Sequence, residues 1–316
     1  MNTLTTRDIV FVYGALRSGT TVFRLMLNAH PEIANPGEMD FLFDHLHPDP
    51  THPTGWRYDL AALTLNRIFQ VHGMTLLPGL DGLDLLEAFL DELKGQHSEK
   101  ILSINIHRHV DRIIAILPHA PLIHLMRDPR DVARSSIVMG WAGTTYHGVE
   151  HWLHTETAWN VVESETSPPP VFTLKYETLL SDPENQLRDI CNFLGLSYDP
   201  QMMDYYHGTT YSAPDHTLVQ QWRHKADPRD IAILEHRAGA MMQARGYLPE
   251  MPPVELGVME RFLLALRNKS HVWAFRHRRY GATNFYCEKL TRWLRIAGLH
   301  RHFRQRMNKI DQRAVK

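Results

Sequence analysis

The sequence predicts an α/β fold: a parallel sheet flanked by helices, with an appended basic helical C-terminal segment. Three observations carry this. Asp8–Gly14, Pro121–Met126 and Val171–Tyr176 are short β-branched and aromatic runs, each followed by a helical pattern. Strands that alternate with helices pair in parallel through crossovers. Charge is divided unevenly. Lys plus Arg is 34 and Asp plus Glu 35 over the 316 residues. Residues 251–316 nevertheless hold 15 Lys and Arg against 4 Asp and Glu, a net +11, leaving −12 on the rest. Together with Pro249–Pro253, this split predicts a body of residues 1–250 and a basic amphipathic helical extension of residues 251–316.

Taken in order, the first strand, DIVFVYG, ends in Gly14 as a buried strand would. Ser18 to Ala29 reads as a helix with Val22, Leu25, Met26 and Ala29 on one face, closed by His30-Pro31. Residues 36–56 are rich in proline and glycine and read as a binding loop or lid. Helical patterns follow at about 58–72 and 83–94, and 112–117 reads as the end of another helix. After the second strand, Asp128-Pro129-Arg130-Asp131 reads as a helix start with Asp128 as N-cap. Ser181-Asp182-Pro183-Glu184 opens a helix to Phe193, and Asp227-Pro228-Arg229-Asp230 opens one ending near Gly246. In the extension, Leu256/Met259/Phe262/Leu263/Leu266 and Tyr286/Leu290/Trp293/Leu294/Ala297 are two amphipathic stripes. Leu299/Phe303/Met307/Ile310 continues the pattern.

Composition excludes several classes. An apolar fraction of 43% with 22% charged residues excludes whole-chain disorder, and near-neutral charge argues against a globally basic nucleic-acid binder. Cys191 and Cys287 make neither a disulfide framework nor a metal knuckle. MNTLTTRD has no apolar signal core, and no run approaches the ~18 apolar residues of a membrane span. A cytoplasmic protein, peripheral at a membrane if anything, is the expectation.

Strand, then Gly14-Ala15-Leu16-Arg17-Ser18-Gly19-Thr20-Thr21, then helix is an anion-binding pattern. Unpaired N–H groups and the helix dipole favour negative charge at such a start. Gly19 permits close approach, Ser18, Thr20 and Thr21 add hydroxyls, and Arg17 adds a forked cation. The nucleoside-triphosphate loop GxxxxGK[ST] has its lysine after the last glycine. Here Gly19 is followed by Thr20-Thr21, which argues against a nucleotide kinase. Arg127 would emerge at the carboxyl end of the second strand, where open α/β sheets bind ligands. Ser135, two turns into the next helix, could face the same anion.

These motifs, with Lys175-Tyr176-Glu177 closing the third strand, resemble the sulfotransferases that use 3′-phosphoadenosine-5′-phosphosulfate (PAPS). FVYGALRSGTTVFRLMLNAHPEI looks most like the tyrosylprotein and carbohydrate branch and its bacterial relatives, and the resemblance spans about residues 8–246. It implies a P-loop-like α/β catalytic domain (EC 2.8.2 type) in residues 1–250. It implies Arg17, Ser18, Gly19, Thr20 and Thr21 on the 5′-phosphosulfate and Arg127 with Ser135 on the 3′-phosphate. Tyr176 would line the adenosine side, and Trp222 and Arg223 would close over the cofactor. The family's Lys-Thr/Asp-Pro segment is out of register in Leu102–Arg108, so Lys100, His107 or Arg108 could substitute for its lysine.

Sulfuryl transfer to a hydroxyl needs alignment, charge stabilisation and a base, and no metal is expected. Glu38, in Pro36-Gly37-Glu38, matches the position of the family's glutamate base, with His107 as the alternative. Arg17 would also offset charge on the leaving phosphate. Loops 36–56 and 140–155 would shape the acceptor pocket. His147, His151 and His154 share a helix face if their segment is helical, a weak metal pattern, and Trp141 could stack on a sugar or phenol while Trp152 and Trp159 read as core. The acceptor is a hydroxyl of a sugar, glycolipid, tyrosine peptide or small alcohol. A non-catalytic PAPS-binding relative and a P-loop kinase-like phosphotransferase are the competing readings. The basic extension has three: an anionic membrane surface, an acidic partner, or packing on the body or a second subunit, which leaves a homodimer open.

Overall fold

A computed structural model describes residues 8–97 and 100–314. Five parallel strands form one sheet in the order β2-β5-β1-β6-β7. They are β1 (Ile9–Gly14), β2 (Ile33–Glu38), β5 (Ile101–Ile106), β6 (Leu122–Met126) and β7 (Val171–Lys175). The three expected strands are present as β1, β6 and β7. β3 (Leu46–Pro48) and β4 (Trp56–Tyr58) form a separate antiparallel hairpin.

β1 lies at the centre because its six residues are all buried, as a central parallel strand requires. Its alternation divides the core. Ile9, Phe11 and Tyr13 pack with Phe41, Phe43, Phe89 and Trp159 on one face. Val10 and Val12 pack with Phe23, Met26, Leu27 and Leu187 on the other.

Several expectations change. β2 and β5 were not expected. IANPGE carries a proline and a register shift between Ala34 and Gly37, which an edge strand tolerates. In β5 the polar Ser103 and Asn105 interrupt the apolar run. Residues 36–56 are not a lid: Phe41, Leu42 and Phe43 are completely buried in a helical turn. The helix expected over 58–72 is two short ones, Leu60–Leu65 and Arg67–His72, divided at Asn66, whose side chain caps the second. Asp128 and Asp227 cap their helices as expected, whereas Asp182 makes no side-chain cap and instead accepts from the Asn185 amide.

Beyond Gly257 a long helix, Val258–Trp293, leaves helical geometry at Gly281 (φ 76°), and a last helix spans Ala297–Ala314. The chain doubles back at Gly281, because Trp273 meets Phe285 edge-on and His277 lies beside Tyr286. Arg279 and Tyr280 bond Asp311 on the last helix. Most of the expected stripe does not pack on the body: Leu256 and Leu264 are buried against Ile233, while Met259, Phe262, Leu263 and Leu266 are exposed.

Candidate active site

The carboxyl ends of the five strands bring together residues distant in sequence. β1 runs into the loop Ala15–Gly19, β2 ends at Glu38, β5 is followed by His107, β6 by Arg127 and β7 by Tyr176. β1 sits between strands reached by crossovers to either side, where open α/β sheets form their crevice.

The loop is built tightly. Arg17 takes a positive φ of 73°, unusual for a side chain with a Cβ, and the Ser18 N–H bonds Ala15 O at 3.0 Å. Gly19 precedes the helix Thr20–Asn28 with φ 92°. A Cβ there would lie 2.2 Å from the Tyr176 ring, so backbone and ring meet with no room for a methyl. At this helix start the N–H groups of Thr20 and Thr21 have no intrahelical acceptor. A buried polar network holds the start in place. Asn105 donates to Thr20 O at 3.3 Å, and Asn35 donates to Asn105 Oδ1 and Ser103 Oγ at 3.0 Å each.

The cations converge on this loop. Arg17 Nε donates to Ser135 Oγ at 2.9 Å, and Arg127 donates to Arg17 O at 3.1 Å. The Arg127 guanidinium lies 4.3 Å over the Tyr176 ring. Ser18 Oγ and Arg127 Nε are buried without a protein partner. A phosphate or sulfate held by the loop fits this donor set, because it would supply acceptors where buried donors have none. Asp131 lies 3.9 Å from Arg127 and makes the same patch less cationic. Trp141 stands 6.0 Å from the Arg17 guanidinium, and Trp152 and Trp159 are core.

Glu38 and His107 form the second part of the site. His107 Nδ1 lies 2.7 Å from Gly14 O, which fixes Nδ1 as the protonated nitrogen. Nε2 then faces Glu38 Oε1 at 3.6 Å. The His107 N–H donates to Asp40, a 2% exposed carboxylate that sequence reasoning did not single out. Burial alone would depress His107, but the charge of Asp40 and the approach of Glu38 outweigh it, and its pKa is raised. Glu38 is held below the ordinary glutamate value, first by His107, against burial, with Arg67 and Arg24 adding to it. The Glu38 side chain is 41% exposed at the mouth.

Of the three substitutes for the family lysine, one faces Glu38. Lys100 precedes β5 and lies at the opposite end of the sheet. Arg108 is forked onto Asp44 at 2.9 and 2.7 Å. His107 alone faces Glu38.

Trp222 and Arg223, expected to close over the cofactor, are engaged with protein partners. Trp222 is buried, donates to Asp128 at 3.1 Å and stacks under Arg130 at 3.9 Å. Arg223 pairs with Glu250 on the surface. Asp128 is occupied by Arg130, which takes both of its oxygens at 2.8 and 2.7 Å, and so offers no free carboxylate to magnesium. Among the described residues, no group of three or more His, Cys, Asp or Glu is gathered as a metal site. His147 bonds Thr144 and His154 pairs with Glu150.

A cavity of about 260 Å³ adjoins His107, lined by Leu16, Arg108, His109, His151 and His154 among others. Burial holds His109 and His151 below the ordinary histidine value, so both are neutral near pH 7. Neutral imidazoles both donate and accept, as hydroxyls do. A cavity of similar size between Asp111 and Pro169 lies towards the amino ends of β6 and β7 and takes no part.

A loop that offers Arg17 and unpaired N–H groups at the switch point of a parallel sheet, beside a carboxylate–imidazole pair, fits a group transferase that handles a phosphorylated or sulfated donor. The family model described as "Sulfotransferase family" matches residues 9–200. The chain belongs to this sulfotransferase family, transferases of the EC 2.8.2 type. A Caenorhabditis briggsae relative, whose name places it among protein-tyrosine sulfotransferases, is 26% identical over 212 residues, covering 63% of this chain and 69% of its own. Mouse carbohydrate sulfotransferase 5 is 27% identical over 169 residues, covering 40% of this chain and 41% of its own length. The sulfotransferase domain of the Synechococcus PCC 7002 olefin synthase superposes with a TM-score of 0.56 at 20% identity, over 77% of this chain and 95% of that one, a likeness of fold.

Proposed function

We propose that the chain transfers a sulfuryl group from PAPS to an acceptor hydroxyl, with Glu38 as general base. The carrying observation is the Glu38–His107 pair, 3.6 Å apart, at the strand ends that also carry the Arg17–Thr21 loop and Arg127. PAPS, when bound, supplies a sulfuryl group on a phosphate that leaves with the bonding pair. Arg17, Ser18 and the N–H groups at Gly19–Thr21 hold the 5′-phosphosulfate, and Arg127 with Ser135 holds the 3′-phosphate. Tyr176 borders the adenosine side. Glu38 takes the acceptor hydroxyl's proton as the oxygen–sulfur bond forms and the sulfur–phosphate oxygen bond breaks. His107, whose pKa is raised by Asp40 and Glu38, favours the ionised carboxylate and stands in for the family lysine near the transferring group. The acceptor enters over the histidine-lined cavity. Residues 1–250 form the catalytic domain and 251–316 an extension beside it. Relatives named for tyrosine and carbohydrate acceptors support a hydroxyl without choosing one.

Titration with adenosine 3′,5′-bisphosphate, ADP and ATP without magnesium tests the donor. Binding of the bisphosphate alone, weakened about tenfold to a hundredfold in Arg127→Ala by loss of a charged hydrogen bond, is the expected result. Preference for ATP would overturn it. Release of the bisphosphate from PAPS, with a tyrosine peptide, an oligosaccharide and a long-chain alcohol as acceptors, tests the transfer. Glu38→Gln is expected to lose about 10²–10⁴ in turnover while keeping nucleotide affinity. If Glu38→Gln turns over normally and His107→Ala does not, the base is misassigned.

A further inference from the structure

We propose that the C-terminal extension docks on an anionic lipid surface and turns the acceptor mouth towards it. The extension has one face on the body and another facing out. Leu264, Asn268, His271 and Phe275 recur at helical spacing and face inward. Asn268 accepts from the Gly143 N–H at 2.7 Å. A Cβ at Gly140 would lie 2.1 Å from the Phe275 ring, and one at Gly143 would lie 2.5 Å from His271. Contact this close leaves no room for sliding. Roughly opposite on the same helix, Met259, Phe262, Leu263 and Leu266 are exposed. After the reversal at Gly281 the pattern repeats. Phe285, Glu288 and Thr291 are buried, while Tyr286, Leu290, Trp293 and Leu294 are exposed.

Two exposed apolar stripes on one chain would be a liability in water. Their occupant is indicated by charge. The segment carries +11, and Arg267, Lys269 and Arg292 are exposed on the same long helix, Arg295 in the turn after it, and Arg301 and Arg304 on the last helix. Aromatic and aliphatic side chains on one face with Lys and Arg beside them suit a helix lying in the headgroup region of an anionic bilayer. No helix among the described residues is long and apolar enough to cross a membrane, so the helices would lie on the surface.

The attachment positions the site. The extension grips the 140–143 turn, where Trp141 stands beside Arg17, and the last helix reaches across to Leu65 O through Asn308 at 3.4 Å. A docked extension therefore holds the mouth near the lipid. Resting on the sulfotransferase reading, the acceptor class is then an amphiphile with its hydroxyl at the headgroup level.

Co-sedimentation of the full chain with phosphatidylcholine vesicles, and with vesicles containing phosphatidylglycerol, tests the docking. Binding to the anionic vesicles, weakened by salt and at least about tenfold weaker in Phe262→Glu/Trp293→Glu, is the expected result. Leu248→Glu, an exposed change on the body, should leave it intact. Melting temperature and bisphosphate affinity should be the same in all three proteins. Three outcomes overturn the proposal: no binding to either vesicle, binding that survives Phe262→Glu/Trp293→Glu, or self-association or capture of an acidic polypeptide that these changes abolish while vesicles stay unbound. Vesicle binding without bisphosphate binding would sink the donor reading and leave the docking standing.

Discussion

At the scale of single residues, Glu38 and His107 set opposite pH limbs. Glu38 has a depressed pKa, so its share of stability is present above the ordinary glutamate value of about 4.3 and is lost as pH falls through the folded value. His107 has a raised pKa, so its share is complete below about 6.5 and is lost as pH rises through the folded value. Melting temperature against pH should therefore decline on both sides, and His107→Gln should flatten the alkaline decline. A melting curve of that variant that still falls in parallel with wild type would refute the assignment. Gly19→Ala places a methyl 2.2 Å from the Tyr176 ring at a φ of 92°. It should lower nucleotide affinity and stability together, read by calorimetry. Arg17, Arg127 and Ser135 were legible because their side-chain chemistry survives in sequence order. Asp40 was not, because only the fold brings its carboxylate to the His107 N–H.

At the scale of elements, the site depends on β5, which sequence reasoning passed over. A period-two polar pair, Ser103 and Asn105, sits inside ILSINI. That pair was the available signal: polar groups on one face of a buried strand need partners. Asn105→Ala would leave Thr20 O and the Asn35 amide short of partners, at a cost of about 1–3 kcal/mol. Chemical denaturation would measure it, with no loss expected in an Asn185→Ala control on the surface. The 211–225 segment teaches the reverse lesson. The resemblance implies that Trp222 closes over the cofactor, and the fold makes it a buried anchor on Asp128 and Arg130. Trp222→Ala should cost about 3–5 kcal/mol of unfolding free energy, as large aromatic deletions do. A loss below about 1 kcal/mol would mean that the segment is not anchored there.

At the scale of the whole molecule, the parallel sheet, its crossover helices and the basic helical end were readable from alternation and charge. Strand order was not, because pairing partners lie far apart in sequence and periodicity carries no information about them. The extension shows the same limit. Its amphipathic stripes were visible, but which stripe would meet the body depended on Gly140 and Gly143, whose missing side chains admit Phe275 and His271.

The strand order also bears on synthesis. Among the described residues, β1 pairs only with β5 and β6, and β2 only with β5. When β1 and β2 have left the ribosome, neither has a partner, and roughly 60 residues must follow before β5 appears, about 3–12 s at translation rates of ~5–20 residues per second. Throughout that interval the wholly apolar IVFVYG has nothing of its own chain to pair with. The nascent chain should therefore depend on a holding chaperone, and stalled chains ending just before Ile101 should be protease-sensitive, whereas chains with β6 emerged should resist.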